Sequence, residues 1–206
     1  MFYKIIRLIC YLIIHLFWSM KIEGEENINH EGPLILAANH VSYLDPVVLG
    51  VAFKRKIYFI AKKEIFEVPI LAFLGRSLDV IPVDRKKLNP ASIKKSLSLL
   101  ETGHVLGIFP EGTRSSNGEL LDLNAGLIKI ALKANSPIIP VGLKGTFDIY
   151  PSHAKIPLFL KRKTIYIRFG KPIYLDNNRG KDIEYKKETL LKIQDKIKEL
   201  TGTTRK

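Results

Sequence analysis

The chain alternates between short apolar runs and longer stretches with helical periodicity, and this alternation limits the folds that it can adopt. The apolar runs with the length of strands lie at residues 34–38, 57–61, 78–83, 105–109, 138–143 and 164–169. The stretches with helical spacing lie at residues 46–53, 64–74, 91–101, 125–134 and 183–200. Strands separated by helices pair in parallel, because each helix returns the chain to the starting edge of the sheet. The sequence therefore predicts an α/β fold with a mostly parallel central sheet flanked by helices.

The first twenty residues have the pattern of an amphipathic helix. Its apolar side chains recur at three- and four-residue spacing, at Phe2, Ile5, Ile6, Ile9, Leu12, Ile13, Leu16 and Phe17. The opposite stripe is basic and aromatic, with Lys4, Arg7, Tyr11, His15 and Trp18. This pattern predicts a helix that lies in the plane of a membrane interface.

Two alternatives to interfacial docking stay open, a short span or hairpin and a helix packed in the core. The apolar stretch is shorter than the ~20 residues of a typical span and contains Arg7 and His15. Residues 19–24 make a poor signal-peptide cleavage site. We therefore expect residues 1–24 to form an N-terminal membrane-docking segment and residues 25–206 to form one globular domain.

The overall charge narrows the partners that this chain can have. The 33 Lys and Arg against 20 Asp and Glu give a net charge of +13, which predicts attraction to nucleic acid, an anionic membrane surface or a phosphorylated substrate. The basic residues are scattered, and the sequence has no zinc-finger spacing and no aromatic RNA-binding strand motif, so we expect no nucleic-acid partner. The single Cys10 excludes an internal disulfide framework and fits a reducing compartment.

A histidine and an aspartate follow the predicted strand at residues 34–38, in the run Asn39-His-Val-Ser-Tyr-Leu-Asp45. Ligands of α/β proteins collect at the carboxyl ends of parallel strands. His40 can act there as a general base, with Asp45 fixing its tautomer. Ser42 lies inside the same run and is the alternative nucleophile, although a role in capping a helix explains it better.

Two further strand ends carry groups that suit a phosphate. The run at residues 105–109 leads into Pro110-Glu-Gly-Thr-Arg114, in which Arg114 offers a planar fork of donors. Gly112 lets the backbone come close to a ligand, and Glu111 can hold the arginine or accept from a substrate hydroxyl. The strand at residues 78–83 ends at Asp84-Arg85. A base beside two guanidinium groups predicts transfer of a group onto the hydroxyl of a phosphorylated substrate.

Four runs in this order resemble the motifs of the lysophosphatidic acid acyltransferase family, within the wider glycerolipid acyltransferase superfamily. They are Asn39-His-Val-Ser-Tyr-Leu-Asp45, Ile81-Pro-Val-Asp-Arg85, Phe109-Pro-Glu-Gly-Thr-Arg114 and Pro137-Ile-Ile-Pro-Val141. The resemblance covers residues 25–145 and is specific because the motifs occur together and in order. It implies a 1-acyl-sn-glycerol-3-phosphate acyltransferase whose N-terminal helical segment docks on a membrane.

The same resemblance implies a role for individual residues. His40 would be the general base and Asp45 its orienting partner. Binding of the substrate's glycerol and phosphate would fall to Arg85, Glu111, Gly112, Thr113 and Arg114. The acyl or acceptor pocket would be shaped in part by Ile139, Pro140 and Val141.

The resemblance also implies the partners and the place of action. Lysophosphatidic acid would be the acceptor, and acyl-CoA or acyl carrier protein would supply the thioester, without a bound cofactor or metal. The expected location is the cytoplasmic face of the cell membrane, in peripheral or monotopic association with an anionic surface.

Two departures from the family pattern leave the acceptor open. Val80 and Ile81 stand where many members have glycine before the second Asp-Arg pair, and Asn124 stands where many have a basic residue. An acyltransferase acting on glycerol-3-phosphate or another lyso-lipid is the alternative within the superfamily. A non-catalytic basic protein that binds membranes or nucleic acid is the alternative from another class.

Overall fold

A seven-stranded sheet forms the centre of the part of the chain that the computed structural model describes, residues 2–28, 31–62, 67, 75–76, 78–83, 90–151, 153–154, 156–159 and 162–202. Its strands are β1 (Ser19–Glu23), β2 (Leu34–Ala38), β3 (Ile57–Lys62), β4 (Ile81–Val83), β5 (Val105–Ile108), β6 (Ile138–Lys144) and β7 (Thr164–Phe169). The strand order is β1-β7-β6-β2-β5-β3-β4. Neighbouring strands run parallel except for β6 and β7. The prediction of an α/β fold with a mostly parallel sheet is confirmed.

Helices cover both faces of this sheet. They are α1 (Phe2–Phe17), α2 (Asp45–Ala52), α3 (Pro90–Glu101), α4 (Gly126–Ala134), α5 (Thr146–Ile149) and α6 (Ile183–Thr201), with short 3-10 helices at Glu25–Ile28 and Asn177–Arg179. The last helix has clear end signals. The Asp182 carboxylate accepts from the Tyr185 amide at its start, and Gly202 ends it in the left-handed conformation at φ +69°.

The central strand β2 separates two apolar layers. Leu34, Leu36 and Ala38 pack into the layer shared with α1 and α2, whereas Ile35 and Ala37 pack into the layer shared with α3, α4 and α6. All five side chains are buried, as expected for a parallel strand covered on both faces. Because β5 and β6 pair in parallel with β2, the segments that follow these three strands meet at one edge of the sheet.

The edge strand β1 is absent from the sequence-based prediction. It pairs with β7 from Ser19 opposite Thr164 to Glu23 opposite Arg168, and its side chains alternate between exposed and half-buried. Helix α1 ends at Phe17, and β1 already pairs in the sheet. The domain boundary expected after residue 24 stays a prediction. The short helix α5 is likewise absent from the prediction. The helix predicted over residues 64–74 lies outside the described residues, apart from Glu67.

Helix α1 lies against the domain with its apolar ridge turned outward. Ile14 is buried against the core, and the Arg7 guanidinium donates to the Val51 carbonyl of α2 at 2.9 Å. The exposed apolar and aromatic side chains are Phe2, Ile5, Leu8, Ile9, Tyr11, Leu12, Ile13 and Leu16. The predicted polar stripe therefore needs correction, because Arg7 and the buried Trp18 contact the domain. None of the helices among the described residues combines the length and the hydropathy that a membrane span needs.

Gly142 in β6 allows close packing of α6, and we expect alanine to destabilise the fold there. A Cβ at this position would lie 2.5 Å from the carbonyl carbon of Leu200, and backbone cannot move aside as a side chain can. Gly142→Ala should lower the free energy of unfolding by about 1–3 kcal/mol, measured by urea denaturation.

Gly50 in α2 supplies the matched control for this substitution. A Cβ at Gly50 meets only the Tyr3 hydroxyl, at 3.9 Å. Gly50→Ala should leave stability unchanged or raise it by about 0.5–1 kcal/mol, because alanine loses less backbone entropy on folding. Equal stabilities of the two variants would show that α6 does not depend on contact with β6 at Gly142.

Candidate active site

Two loops are fastened together at the carboxyl edge of the sheet, one after β2 and one after β5. The His40 amide donates to Glu111 Oε1 at 2.6 Å, although the two residues are 71 positions apart in sequence. In return, the Ser115 amide donates to the His40 carbonyl at 2.8 Å. The first and third sequence motifs therefore form a single structural unit around the backbone of His40.

His40 and Asp45 form the hydrogen-bonded pair that the sequence predicts. Nδ1 of His40 lies 2.9 Å from Oδ2 of Asp45, with the histidine side chain 19% exposed and the aspartate completely buried. Because an ionised carboxylate can only accept, we assign the Nδ1 proton to the imidazole. This tautomer leaves Nε2 with the lone pair that a general base needs.

The Asp45 carboxylate receives three further hydrogen bonds. The amides of Val41 and Ser42 each donate to Oδ2 at 2.7 Å, and the Thr146 hydroxyl donates to Oδ1 at 2.7 Å. A carboxylate removed from water is costly unless its oxygens are hydrogen-bonded, and these donors meet that requirement. They also fix the orientation of the oxygen that faces His40.

Thr146 is a residue of this site that the sequence reasoning missed. It begins α5, directly after β6, and is completely buried. The preceding Gly145 has φ +92°, and a Cβ there would collide with the Thr164 carbonyl, so glycine is needed to deliver Thr146 to this place. A Gly-Thr pair just after a buried strand was the available signal, since β6 ends at the same sheet edge as β2.

Aromatic rings form one wall of the site. The Phe109 ring stacks on the His40 imidazole with centroids 4.1 Å apart and planes 20° apart. Behind it, the Phe59 ring is nearly parallel to Phe109 at 5.9 Å. This stack restricts rotation of the imidazole, so it complements the hydrogen bond that Asp45 provides.

Arg114 is positioned as a donor for an anion. Its guanidinium carbon lies 3.4 Å from the centroid of the Tyr43 ring, in a cation-π stack. Among the described residues, its buried Nη1 has no hydrogen-bond partner. A buried N–H without a partner is unfavourable, and an oxygen of a bound ligand would satisfy it. Tyr43, which sequence reasoning did not assign, therefore holds Arg114 in place.

Glu111 holds the backbone on two sides of the site, and its predicted role in binding glycerol phosphate stays a prediction. Its two oxygens already accept from the amides of His40 and Leu121, at 2.6 and 2.8 Å. Burial raises the pKa of Glu111 to about 7; these two hydrogen bonds oppose the rise, and the charge of Asp45 adds to it. A buried carboxylate with both oxygens occupied suits the positioning of backbone better than contact with a phosphate.

The other predicted site residues lie in different surroundings. Gly112, at φ +67°, and Thr113 are exposed in the turn next to Arg114. Ile139 and Val141 are completely buried and Pro140 is buried, in the strand that pairs with β2, so their side chains support the strand that carries His40. Arg85 lies outside the described residues, and its role stays a prediction. Within the described ranges, no group of three or more His, Cys, Asp or Glu could hold a metal ion.

The raised pKa of Glu111 predicts a pH dependence of stability. An unfolded glutamate titrates near ~4.3, so between there and about 7 the folded protein keeps a proton that the unfolded chain has released. The contribution of Glu111 to stability therefore falls as pH rises through this window and is constant above it. Glu111→Gln does not titrate, so its stability relative to wild type should rise by up to about 3 kcal/mol across the window.

Urea denaturation of both proteins at several pH values across this window checks that prediction. A pH-independent difference between Glu111→Gln and wild type would contradict the raised pKa of Glu111.

Comparison with known proteins identifies the family. The family model described as "Acyltransferase" matches residues 19–144. A 1-acyl-sn-glycerol-3-phosphate acyltransferase of Bacillus subtilis is 33% identical over 164 residues, which cover 79% of this chain and 78% of that protein. A protein of the same name from Borreliella burgdorferi is 29% identical over 178 residues, covering 84% of this chain and 67% of its own. The chain spans about half of two chloroplast relatives, from Brassica napus and Arabidopsis thaliana.

Solved structures agree on the fold. The crystal structure of the 1-acyl-sn-glycerophosphate (LPA) acyltransferase PlsC from Thermotoga maritima matches with a TM-score of 0.80, at 23% sequence identity. The match covers 99% of this chain and 80% of the Thermotoga chain. With the His40–Asp45 pair and the Phe109–Arg114 motif fastened together at one sheet edge, the matched residues and the curated relatives show that the chain is an acyltransferase and belongs to the 1-acyl-sn-glycerol-3-phosphate acyltransferase family.

Proposed function

We propose that this chain transfers a fatty acyl group from an acyl thioester to the free hydroxyl of 1-acyl-sn-glycerol-3-phosphate, which gives phosphatidic acid for phospholipid biosynthesis. The observation that carries the proposal is the His40–Asp45 pair, whose backbone binds the residue after Arg114; the buried Nη1 of that arginine has no partner within the described residues. The names of the curated relatives support the same acceptor. The thioester is a co-substrate, from acyl-CoA or acyl carrier protein, so the reaction needs no resident cofactor.

The proton transfers follow from the tautomer of His40. Nε2 takes the proton of the acceptor hydroxyl as the hydroxyl oxygen attacks the thioester carbonyl. The tetrahedral intermediate collapses by breaking the carbon–sulfur bond, and the imidazolium returns the proton to the leaving thiolate. The buried Asp45 carboxylate stabilises the imidazolium between these steps and holds the ring in place.

The surroundings of Ser42 favour direct transfer over an acyl-enzyme. Its hydroxyl donates to the Tyr150 carbonyl at 2.6 Å and accepts from the Leu44 amide at 3.0 Å. The side chain is completely buried, and both of its hydrogen-bonding functions stabilise the turn before α2. A nucleophilic serine needs a base that removes its proton, and here a backbone carbonyl holds that proton.

Arg114 is proposed to bind the phosphate of the acceptor. A guanidinium donates two parallel hydrogen bonds to phosphate oxygens, and stacking on Tyr43 orients this fork before the substrate arrives. Arg85 is the second proposed phosphate ligand, on the strength of the sequence motif. Positioning the acceptor hydroxyl near Nε2 in this way replaces a bimolecular encounter with an oriented complex.

The exposed apolar ridge of α1 supports action at a membrane surface. Side chains such as Leu8, Leu12 and Leu16, the last 76% exposed, are unfavourable in water and favourable in the acyl region of a bilayer. The net charge of +13 adds attraction to anionic lipid. Peripheral association at the cytoplasmic face of the cell membrane would let the enzyme take its acceptor and leave its product without extracting either lipid.

An acyl-transfer assay with purified protein tests the function. It crosses acyl-CoA and acyl carrier protein donors with lysophosphatidic acid, glycerol-3-phosphate and a lyso-lipid without a free phosphate monoester. Product from lysophosphatidic acid above the other acceptors supports the proposal. A preference for another acceptor would favour the alternative within the superfamily, and no turnover at all would favour a non-catalytic membrane-binding protein.

Removing the base should abolish most of the activity without weakening acceptor binding. His40→Ala should lower kcat by about 10²–10⁴-fold, the usual contribution of general base catalysis, with little change in KM for lysophosphatidic acid. His104→Ala is the matched control, because that ring packs on Tyr58 outside the site. Near-normal turnover by the His40 variant would rule out the assigned base.

Thr146 should act on the rate through Asp45. Thr146→Val keeps the shape and removes the donor to Asp45 Oδ1, so we expect kcat to fall by about tenfold, equivalent to one hydrogen bond to a charged group. Thr146→Ser keeps a hydroxyl and should restore most of kcat, with KM similar in both variants. If serine fails to rescue, packing by the threonine methyl group is what matters at this position.

A further inference from the structure

The molecule exposes a second apolar patch beside the end of α1. Residues 156–159, named here the Phe159 segment, present Ile156 at 70% exposure, Leu158 at 41% and Phe159 at 40%. The Phe159 ring stacks on Trp18 at 5.5 Å and meets the edge of Phe17 at 4.9 Å. The patch therefore continues the apolar surface of α1 onto a part of the chain far away in sequence.

Hydrogen bonds hold this segment in a defined place. The Leu158 amide donates to the carbonyl of Ile149, the buried last residue of α5, at 2.9 Å, and the Phe159 amide donates to the Pro157 carbonyl at 3.1 Å. The apolar side chains are thus presented outward by a fixed backbone. A contiguous exposed apolar patch of this kind marks a surface that contacts something other than water.

The charges next to the patch identify an anionic surface as its partner. Arg162 and Lys163, three and four residues after Phe159, are exposed. The Lys163 carbonyl accepts from the Ser19 amide at 3.1 Å, which ties this part of the chain to the start of β1. Within the described part of the chain, the Lys163 ammonium lies 3.9 Å from the carboxylate of the exposed Asp148, so it stays available to solvent. Each Lys or Arg close to an anionic lipid surface contributes about 1 kcal/mol to attraction.

Trp18 joins the patch to the core. It is buried in the apolar layer shared with α1 and α2, and the ring that covers it, Phe159, belongs to the exposed patch.

We propose that the Phe159 segment is a second bilayer contact, which inserts Ile156 and Phe159 into an anionic phospholipid membrane while Arg162 and Lys163 bind its headgroups. This inference rests on the proposed membrane-bound function. A single helix in the interface can roll about its own axis, whereas an adjoining contact from a distant part of the sequence prevents this rolling and fixes the plane of the membrane relative to the domain. The Leu158 amide binds the last carbonyl of α5, the helix that begins at Thr146, so the fixed plane also sets how the His40–Asp45 pair faces the lipid.

The test compares vesicle binding of the full chain and two paired variants. Ile156→Ser with Phe159→Ser removes the patch, and Ile183→Ser with Leu191→Ser removes two equally apolar, 79% and 53% exposed side chains from α6, which packs on the opposite face of the sheet. Binding is measured by flotation with vesicles of phosphatidylcholine and phosphatidylglycerol. The first variant should bind about tenfold more weakly, since two side chains lose their transfer into lipid, and the second should bind as wild type does.

A third variant separates this inference from the proposed docking of α1. Leu8→Ser with Leu12→Ser removes part of the ridge of α1. If the α1 variant releases the protein and the Phe159-segment variant binds as wild type, the second contact is ruled out while docking by α1 stands. If neither variant changes binding, both are ruled out. Equal weakening of vesicle binding by the Phe159-segment variant and the α6 control variant would also overturn the inference, because the loss of binding would then not be specific to the Phe159 segment.

Discussion

The buried carboxylate of Asp45 is the interaction on which the rest of the site depends. It receives hydrogen bonds from the His40 ring, the amides of Val41 and Ser42, and the hydroxyl of Thr146. These donors come from the end of β2, the turn before α2 and the start of α5. A buried carboxylate needs hydrogen-bond donors held in fixed positions. The three segments that supply these donors must therefore be folded before the imidazole of His40 is correctly oriented.

Glu111 repeats this principle for the second half of the site. Its oxygens join the backbone of His40 to that of Leu121, which fixes the loop that carries Arg114 relative to the base. The carboxylates of Asp45 and Glu111 therefore have a different role from the side chains of His40 and Arg114. The acids are buried and position backbone, while His40 and Arg114 keep the atoms that can meet a substrate. Burial is the main reason that the pKa of Glu111 is raised, and repulsion from the Asp45 carboxylate adds to it.

The accuracy of the sequence reasoning depended on whether local pattern or tertiary contact decides each feature. The range predicted for β2 agrees with the structure because five apolar residues in succession suit only a strand buried on both faces. The edge strand β1 was missed because Ser19–Glu23 directly continues an apolar helical pattern, and its pairing with β7 is set by contacts far along the chain. Thr146 was missed for a related reason, since only the adjacency of β6 and β2 brings it to Asp45. The contacts of Glu111 could not be read from the sequence, which shows that a carboxylate lies beside an arginine but not that its two oxygens accept from the amides of His40 and Leu121.

The orientation of α1 differs from the sequence-based prediction at Arg7, and this changes which side chains face outward. The sequence places Arg7 on the outward polar stripe, yet its guanidinium donates to the Val51 carbonyl of α2. A charge satisfied inside leaves the outer surface of the helix to Leu8, Leu12 and their apolar neighbours. On that surface Lys4 is exposed near the start of the helix, and the bond from the Ser19 amide to the Lys163 carbonyl brings a second basic residue close to its end. In the proposed membrane contact, attraction to anionic headgroups would therefore act at both ends of the apolar ridge.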